Sequence, residues 1–137
     1  MGKTRSELRE IIVHVIYESY ILDKAKVLYD INSLIKEEIE VENDFVNEMV
    51  AGIREKQNDI NSIANTYLVD WEIDRLSKVD KAILSLGIYE LLYTKTPPVV
   101  AINESLELAH KYSDPKVVKM MNGTLDRIYK SDLYQEN

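Results

Sequence analysis

Apolar residues recur at steps of three and four along almost the whole chain, a spacing that predicts α-helices and leaves little room for strands. Leu8, Ile11, Ile12, Val15 and Ile16 form the first apolar stripe. Thr4 and Glu7 ahead of it make an S/T-x-x-E capping box, so a helix is predicted from about residue 5 to about Ile21. A second helix is predicted over 23–38, burying Val27, Leu28, Ile31, Leu34 and Ile35. A long third one over 43–68 turns Phe45, Met49, Val50, Ile53, Ile60, Ile63, Ala64 and Tyr67 inward. Trp71, Ile73 and Leu76 read as a short turn, and Ser77 with Asp80 three residues on offers an N-cap. The segment 79–93 is apolar on most sides, which makes it the expected central helix, with Gly87 allowing a neighbour to approach closely. Pro97-Pro98 stops that element. Further helices are predicted over 102–112 and, after the cap signal Asp114-Pro115, through Tyr129. With no internal repeat and no separating linker, the pattern describes one all-α domain. Its N-terminal helices fall in 1–68, its C-terminal helices in 69–130 and a tail in 131–137.

Composition narrows the chemistry. The chain has 137 residues, 45% of them apolar, enough for a core without staples. Cysteine is absent, which excludes disulfides, thiolate-bound metals and thiol nucleophiles. The formal charge of −7 argues against a broadly basic nucleic-acid coat, so any such surface must be local. Residues 37–48 hold six carboxylates and no base, leaving the rest nearly neutral. Basic residues gather at the two ends: Lys3, Arg5 and Arg9 at the start, then Lys111, Lys116, Lys119, Arg127 and Lys130. Should the first and last helices be neighbours, these ends would merge into one positive face. Arg5, Arg9, Val13 and Tyr17 follow one another at four-residue steps, a ridge suited to phosphates and a stacked single-stranded base. The same pattern also describes a solvated helix flank with a half-buried tyrosine. The N-terminus lacks the unbroken apolar stretch of a signal peptide, and no run reaches the roughly 18 apolar residues of a membrane span, so a cytoplasmic protein is expected.

Catalytic constellations are sparse. Glu107-x-x-His110 puts a carboxylate and an imidazole on one helix face, as in ferritin-like di-iron sites, but such sites need two pairs. The other histidine, His14, follows Glu10 by four residues across an apolar stripe. There is no Gly-x-Ser-x-Gly elbow and no Gly-rich phosphate loop, so neither enzyme activity, a metal site nor a cofactor is predicted. Glu90 falls on the Val79, Ala82, Ile83, Leu86 stripe, where a charge is costly to bury. It is expected to cap a neighbouring helix or to pair with an arginine such as Arg75. Asn103-Glu104, just past a helix opening, reads as complement to the helix dipole.

The C-terminal half carries Trp71-Glu72-Ile73-Asp74-Arg75-Leu76, Val79-Asp80-Lys81-Ala82-Ile83-Leu84-Ser85-Leu86, Tyr89-Glu90-Leu91, Val100-Ala101-Ile102-Asn103-Glu104 and Asn122-Gly123-x-Leu125-Asp126, in that order. These runs resemble the NusB family of transcription antitermination factors, densely from about Tyr67 to Ile128, and the opening Arg-x-x-x-Arg-Glu with Tyr17 is similar to the family's first helix. The resemblance implies two roughly perpendicular three-helix bundles and a non-enzymatic role. It implies pairing with NusE, a small-subunit ribosomal protein, and binding of boxA RNA within an antitermination complex on RNA polymerase during ribosomal RNA synthesis. By matching position it implies an RNA face of Lys3, Arg5, Arg9, Tyr17, Lys116, Lys119 and Met120, and a NusE face along Asp74, Arg75 and Asp80. The chain departs from the family pattern at Leu84-Ser85-Leu86, where Leu-Arg-Leu is usual. Its basic start is thinned, and Met120-Met121 stands in place of an aromatic before Asn-Gly. Each departure is expected to remove a phosphate contact or a stacking ring, so weak RNA binding by the isolated chain is predicted. Ser85 and the acidic stretch 37–48 also fit a protein-interaction module of the same fold that has lost RNA contact. The fold occurs fused to RNA methyltransferases as well, but no cofactor-binding strand-turn-helix follows here and methyl transfer is not expected. Monomer and homodimer both stay open.

Overall fold

The computed structural model describes residues 2–135. Thr4 caps α1 (Arg5–Ala25) as the capping box predicts: its hydroxyl accepts from the Glu7 N–H at 3.1 Å, and its own N–H donates to the Glu7 carboxylate at 2.9 Å. The helix runs one turn past the expected end. Lys26, in the left-handed region at φ 58, stops it by turning its N–H back to the carbonyls of Leu22 and Asp23. The connection that follows corrects the expectation of a helix starting near residue 23. Val27 and Leu28, expected inside, are exposed, Leu28 at 98%. Asp30 then caps α2 (Ile31–Glu38) through the N–H of Asn32, and Leu34 and Ile35 supply its buried face.

Asn43 caps α3 (Asp44–Tyr67), whose inward row is Val46, Met49, Val50, Ile53, Ile60 and Ala64. Phe45 is half-buried at its edge. A 3₁₀ turn over Ile73–Arg75 leads to α4 (Lys78–Tyr93), capped by Ser77. From Ala82 to Ile88 every residue of α4 is buried, because the helix packs on α1, α3, α5 and α6 at once. Each fully buried Ile or Leu there contributes about 1.5–3 kcal/mol. Gly87 lets α5 and α6 come close: a Cβ built on it would lie 2.5 Å from Ser105 Oγ and 3.3 Å from Leu125 Cδ1. The second proline of Pro97-Pro98 begins α5 (Pro98–Tyr112) instead of merely ending α4, since proline's fixed φ suits the first helical position. That adds a turn before the predicted start at 102. α6 (Pro115–Tyr129) opens with Pro115 in the same role.

Two bundles result, α1–α3 and α4–α6, with α4 buried against both. Beyond α6 the chain folds back far enough for Tyr134 to meet Tyr129 edge-on at 4.9 Å. Among the described residues there is no strand, and no helix is long and apolar enough to cross a membrane.

Candidate nucleic-acid and partner interface

The α1 ridge is split. Arg5 is exposed, its guanidinium stacked 4.0 Å from the centroid of Phe45 on α3. Arg9, expected beside it in solvent, has a side chain only 6% exposed. Its Nε donates to both oxygens of Glu90 at 2.8 and 3.1 Å, and Nη2 donates to Oε2 at 2.5 Å. Thr96 adds a hydroxyl to the same carboxylate at 2.8 Å. On its outer side Arg9 Nη1 donates to Glu104 Oε1 at 3.2 Å, an oxygen that also accepts from Ser6 Oγ at 2.8 Å. The hydrogen bonds to Glu90 hold the guanidinium above its ordinary pKa, outweighing the opposite pull of burial. Arg9 is therefore internal, because Glu90 on the apolar face of α4 needs a counter-charge. Arg75, the expected partner of Glu90, is instead exposed and lies 3.8 Å from Glu72. Glu104 is corrected as well: with α5 starting at Pro98 it lies beyond the first turn, and its carboxylate faces α1 rather than the helix end.

Farther along α1, Lys111 Nζ donates to Glu10 at 2.6 Å and the Tyr112 hydroxyl donates to the same oxygen. These bonds, Lys111 first, keep the Glu10 carboxyl below its usual pKa. His14 touches Tyr112 at 3.1 Å and Glu38 at 3.7 Å, whereas Glu107 and His110 are exposed on α5. Tyr17 is half-buried against the core, and Lys3 lies exposed at the rim of a groove of about 570 Å³ floored by Leu8 and Ile39.

At the other cationic end, Lys116 is exposed with its Nζ 5.9 Å from the Trp71 ring centre. Lys119 lines a groove of about 480 Å³ between α5 and α6 with Leu106, His110 and Asn122. Met120 is half-buried. Arg127 donates to the Tyr67 carbonyl and Lys130 pairs with Asp126 at 2.9 Å, so both are engaged. α6 packs chiefly on α5, α4 and α3, and α1 on α2, α3, α4 and α5. The two ends are thus bridged by α5 and do not merge through a direct α1–α6 seam.

The three partner-face candidates also divide. Asp74 and Arg75 are exposed, Asp74 bonded to Lys81 at 2.9 Å. Asp80 is buried in the first turn of α4, where it accepts from the Ser113 hydroxyl, so it ties α4 to the α5–α6 junction and offers no surface.

The sequence model of the NusB family matches residues 6–130. The chain belongs to the NusB family. The transcription antitermination protein NusB of Methylacidiphilum infernorum (isolate V4) is 38% identical over 135 residues, covering 93% of this chain and 91% of that protein. Its counterpart from Clostridium perfringens (strain SM101) is 34% identical over 132 residues, with 93% and 97% covered. Among solved structures, T. maritima NusB superposes with TM-score 0.82 at 29% identity over 97% of this chain and 95% of its own. The structure of antitermination factors NusB and NusE in complex with dsRNA matches with TM-score 0.77 at 28% identity, covering 95% and 98%.

Membership in NusB makes one departure from the family pattern testable by geometry. Ser85, taken from the sequence as a lost phosphate contact, is fully buried. Its hydroxyl meets Gln57 Nε2 at 3.1 Å and the Tyr20 hydroxyl at 3.3 Å, and Tyr20 donates to Gln57 Oε1 at 2.6 Å. Position 85 is therefore an interior polar junction of α1, α3 and α4. The sequence alone marks neither Ser6 nor Phe45 as a site residue, and the Asn103-Glu104 motif carries a signal only for the helix dipole.

Proposed function

We propose that this NusB chain is a transcription antitermination factor that binds boxA-type RNA together with NusE, supporting ribosomal RNA transcription within the RNA polymerase antitermination complex in the cytoplasm. The carrying observation is the match over 95% of the chain to NusB as it stands with NusE and dsRNA. Its work is binding, with no catalytic step. Lys3, Arg5, Lys116 and Lys119, all exposed, supply the phosphate contacts on a molecule of net charge −7. Tyr17 and Met120, both half-buried, border them as apolar contacts for bases. Four phosphates neutralised on a single strand give a salt slope of about −3, a modest electrostatic contribution beside the roughly 6–10 phosphate contacts of strong binders. NusE, docked along Asp74 and Arg75, must then add basic and base-reading surface.

Anisotropy titration of boxA-like RNA with and without NusE tests this. NusE should tighten binding by at least about tenfold, one decade being about 1.4 kcal/mol. Equal affinity in both arms would defeat the reading. A second reading, a protein-interaction module without RNA contact, is favoured by the pairing of Lys81, Lys111 and Lys130 with carboxylates. It prevails if NusE binds normally while RNA crosslinks to the complex are absent.

A further inference from the structure

Arg9 is held by two carboxylates of unequal standing. Glu90 has a side chain 1% exposed, uses both oxygens on Arg9 and receives Thr96 as well. Glu104 is 23% exposed, reaches Arg9 through one oxygen at 3.2 Å, and its other oxygen has no hydrogen-bond partner among the described residues. Glu90 already neutralises Arg9 from the inside, so Glu104 makes the trio net negative, and the surplus charge lies at the surface. A partly exposed carboxylate with one oxygen unbonded rehydrates at little cost, whereas Glu90, 1% exposed, cannot.

We propose that Glu104 masks a phosphate-binding subsite built from Arg9 Nη1 and the Ser6 hydroxyl, and that an RNA phosphodiester displaces it. The inference rests on the RNA-binding reading above. The exchange replaces one monoanion by another, and the guanidinium and hydroxyl that bond Glu104 Oε1 suit a phosphate oxygen equally well. Arg9 stays clamped by Glu90 throughout, so the subsite is preorganised once uncovered. The ring of Phe45 lies under both guanidiniums, 4.0 Å from Arg5 and 5.5 Å from Arg9, which places the exposed Arg5 beside the masked donor. Glu104 thus sets a threshold: ligands that bring a well-placed phosphate next to Arg5 uncover Arg9, and loosely held polyanions do not.

The test is anisotropy titration of boxA-like RNA onto the NusE-saturated protein across a salt series, comparing wild type, Glu104→Gln, Glu104→Gln with Ser6→Ala, and Glu107→Gln. Glu107 is exposed on the same helix and makes no bond to Arg9, so it reports the effect of one lost negative charge alone. Glu104→Gln should bind about fivefold more tightly than Glu107→Gln, what one partly exposed ion pair is worth. Its salt slope should match that of Glu107→Gln, because the same phosphate reaches Arg9 in both and only the cost of displacing Glu104 is removed, and Ser6→Ala should cancel part of the gain. Glu104→Asp, which keeps the charge but shortens its reach, should fall between the two and decides the matter if the glutamine variant does not fold. Glu104→Gln equal in affinity to Glu107→Gln, or weaker than wild type, overturns the masking role while leaving RNA binding intact. Absence of RNA binding by wild type with NusE present defeats both.

Discussion

α1 meets α4 through polar groups near both of its ends, and the two meetings use opposite chemistry. Near the N-terminus the contact is ionic: Arg9 against Glu90, with Glu104 outside. Near the C-terminus it is neutral: Tyr20, Gln57 and Ser85 satisfy one another, and Asn61 takes the remaining Gln57 proton at 2.9 Å. Both are complete, since no buried side-chain polar atom among the described residues lacks a partner. They differ in what a single deletion leaves behind. Removing a hydroxyl from the neutral junction strands a dipole, whereas removing a carboxylate from the ionic one strands a charge. The ionic junction has a carboxylate as its outer member, whereas the outer neighbour of the neutral junction is Lys81, 4.7 Å over the Tyr20 ring, so under the masking proposal an incoming anion exchanges only at the N-terminal end of α1.

The largest effect is expected from Glu90→Ala. It leaves Arg9 buried with only the partly exposed Glu104, and urea unfolding should show a loss of about 3–5 kcal/mol. The pair Arg9→Met with Glu90→Met, which removes both charges and keeps volume, should recover more than half of that loss. Failure of the double variant to recover would mean that hydrogen-bond geometry, not stranded charge, dominates here. For the same reason Arg9→Glu is unsuitable as a probe of RNA contact, because it sets two carboxylates against a third.

Gly87 lies on α4 between Ser85 and Glu90, facing α5. Gly87→Ala pushes a methyl against Ser105 Oγ, Ser105 Cβ and Leu125. Overpacking of this kind costs about 1–3 kcal/mol. Because α5 carries Glu104, the displacement should loosen the ionic junction and spare the neutral one. Hydrogen exchange at the N-terminal half of α1 should then rise more than at its C-terminal half, and equal rises would show that the two junctions are not independent.

Tyr20→Phe should cost less, about 1 kcal/mol at neutral pH, the net worth of one hydrogen bond. Burial pushes the Tyr20 hydroxyl up to about 12 from an ordinary value of 10.0. An acid whose pKa is raised by folding lends its full stability below the unfolded value and loses it as pH climbs toward the folded one. Wild type should therefore lose stability between about pH 10 and 12, the range set by that shift. Tyr89, Tyr93 and Tyr112 are raised too, so the phenylalanine variant should flatten this decline and not abolish it. An unchanged alkaline profile would show that Tyr20 is less enclosed than the geometry indicates.

Much of the architecture was readable because helical spacing and caps are local. Thr4 with Glu7, Ser77 and the two Pro-led openings are decided within one turn, and the apolar run in α4 already marked it as the central helix. The end of α1 is not legible locally, because Lys26 adopts a left-handed conformation that no glycine advertises, and Val27 and Leu28 are apolar residues left in solvent. The site was less legible. Glu90 announces that it needs a partner, but Arg9 is 81 positions away, and a four-residue ridge pattern cannot distinguish the arginine left exposed from the one drawn inward to a carboxylate on another helix. Asp80 and Ser85 failed for the same reason: their surroundings come from α5, α3 and α1, which no local window contains.

Arg5 and Arg9 are the sharpest contrast, one turn apart with one ring between them. Arg5→Ala removes an exposed cation–π contact worth about 0.5–1 kcal/mol, so the unfolding midpoint should hardly move. RNA binding in the NusE complex should weaken, with the salt slope shallower by about 0.7 for the lost phosphate. Lys119→Ala at the far end should do the same to the slope without any change in stability. If Arg5→Ala leaves the slope untouched while Lys119→Ala lowers it, RNA engages the groove between α5 and α6 and passes over the N-terminal end of α1. The exposed Arg5 would then serve only to cover Phe45, and the outer face of Arg9 would have no ligand to meet.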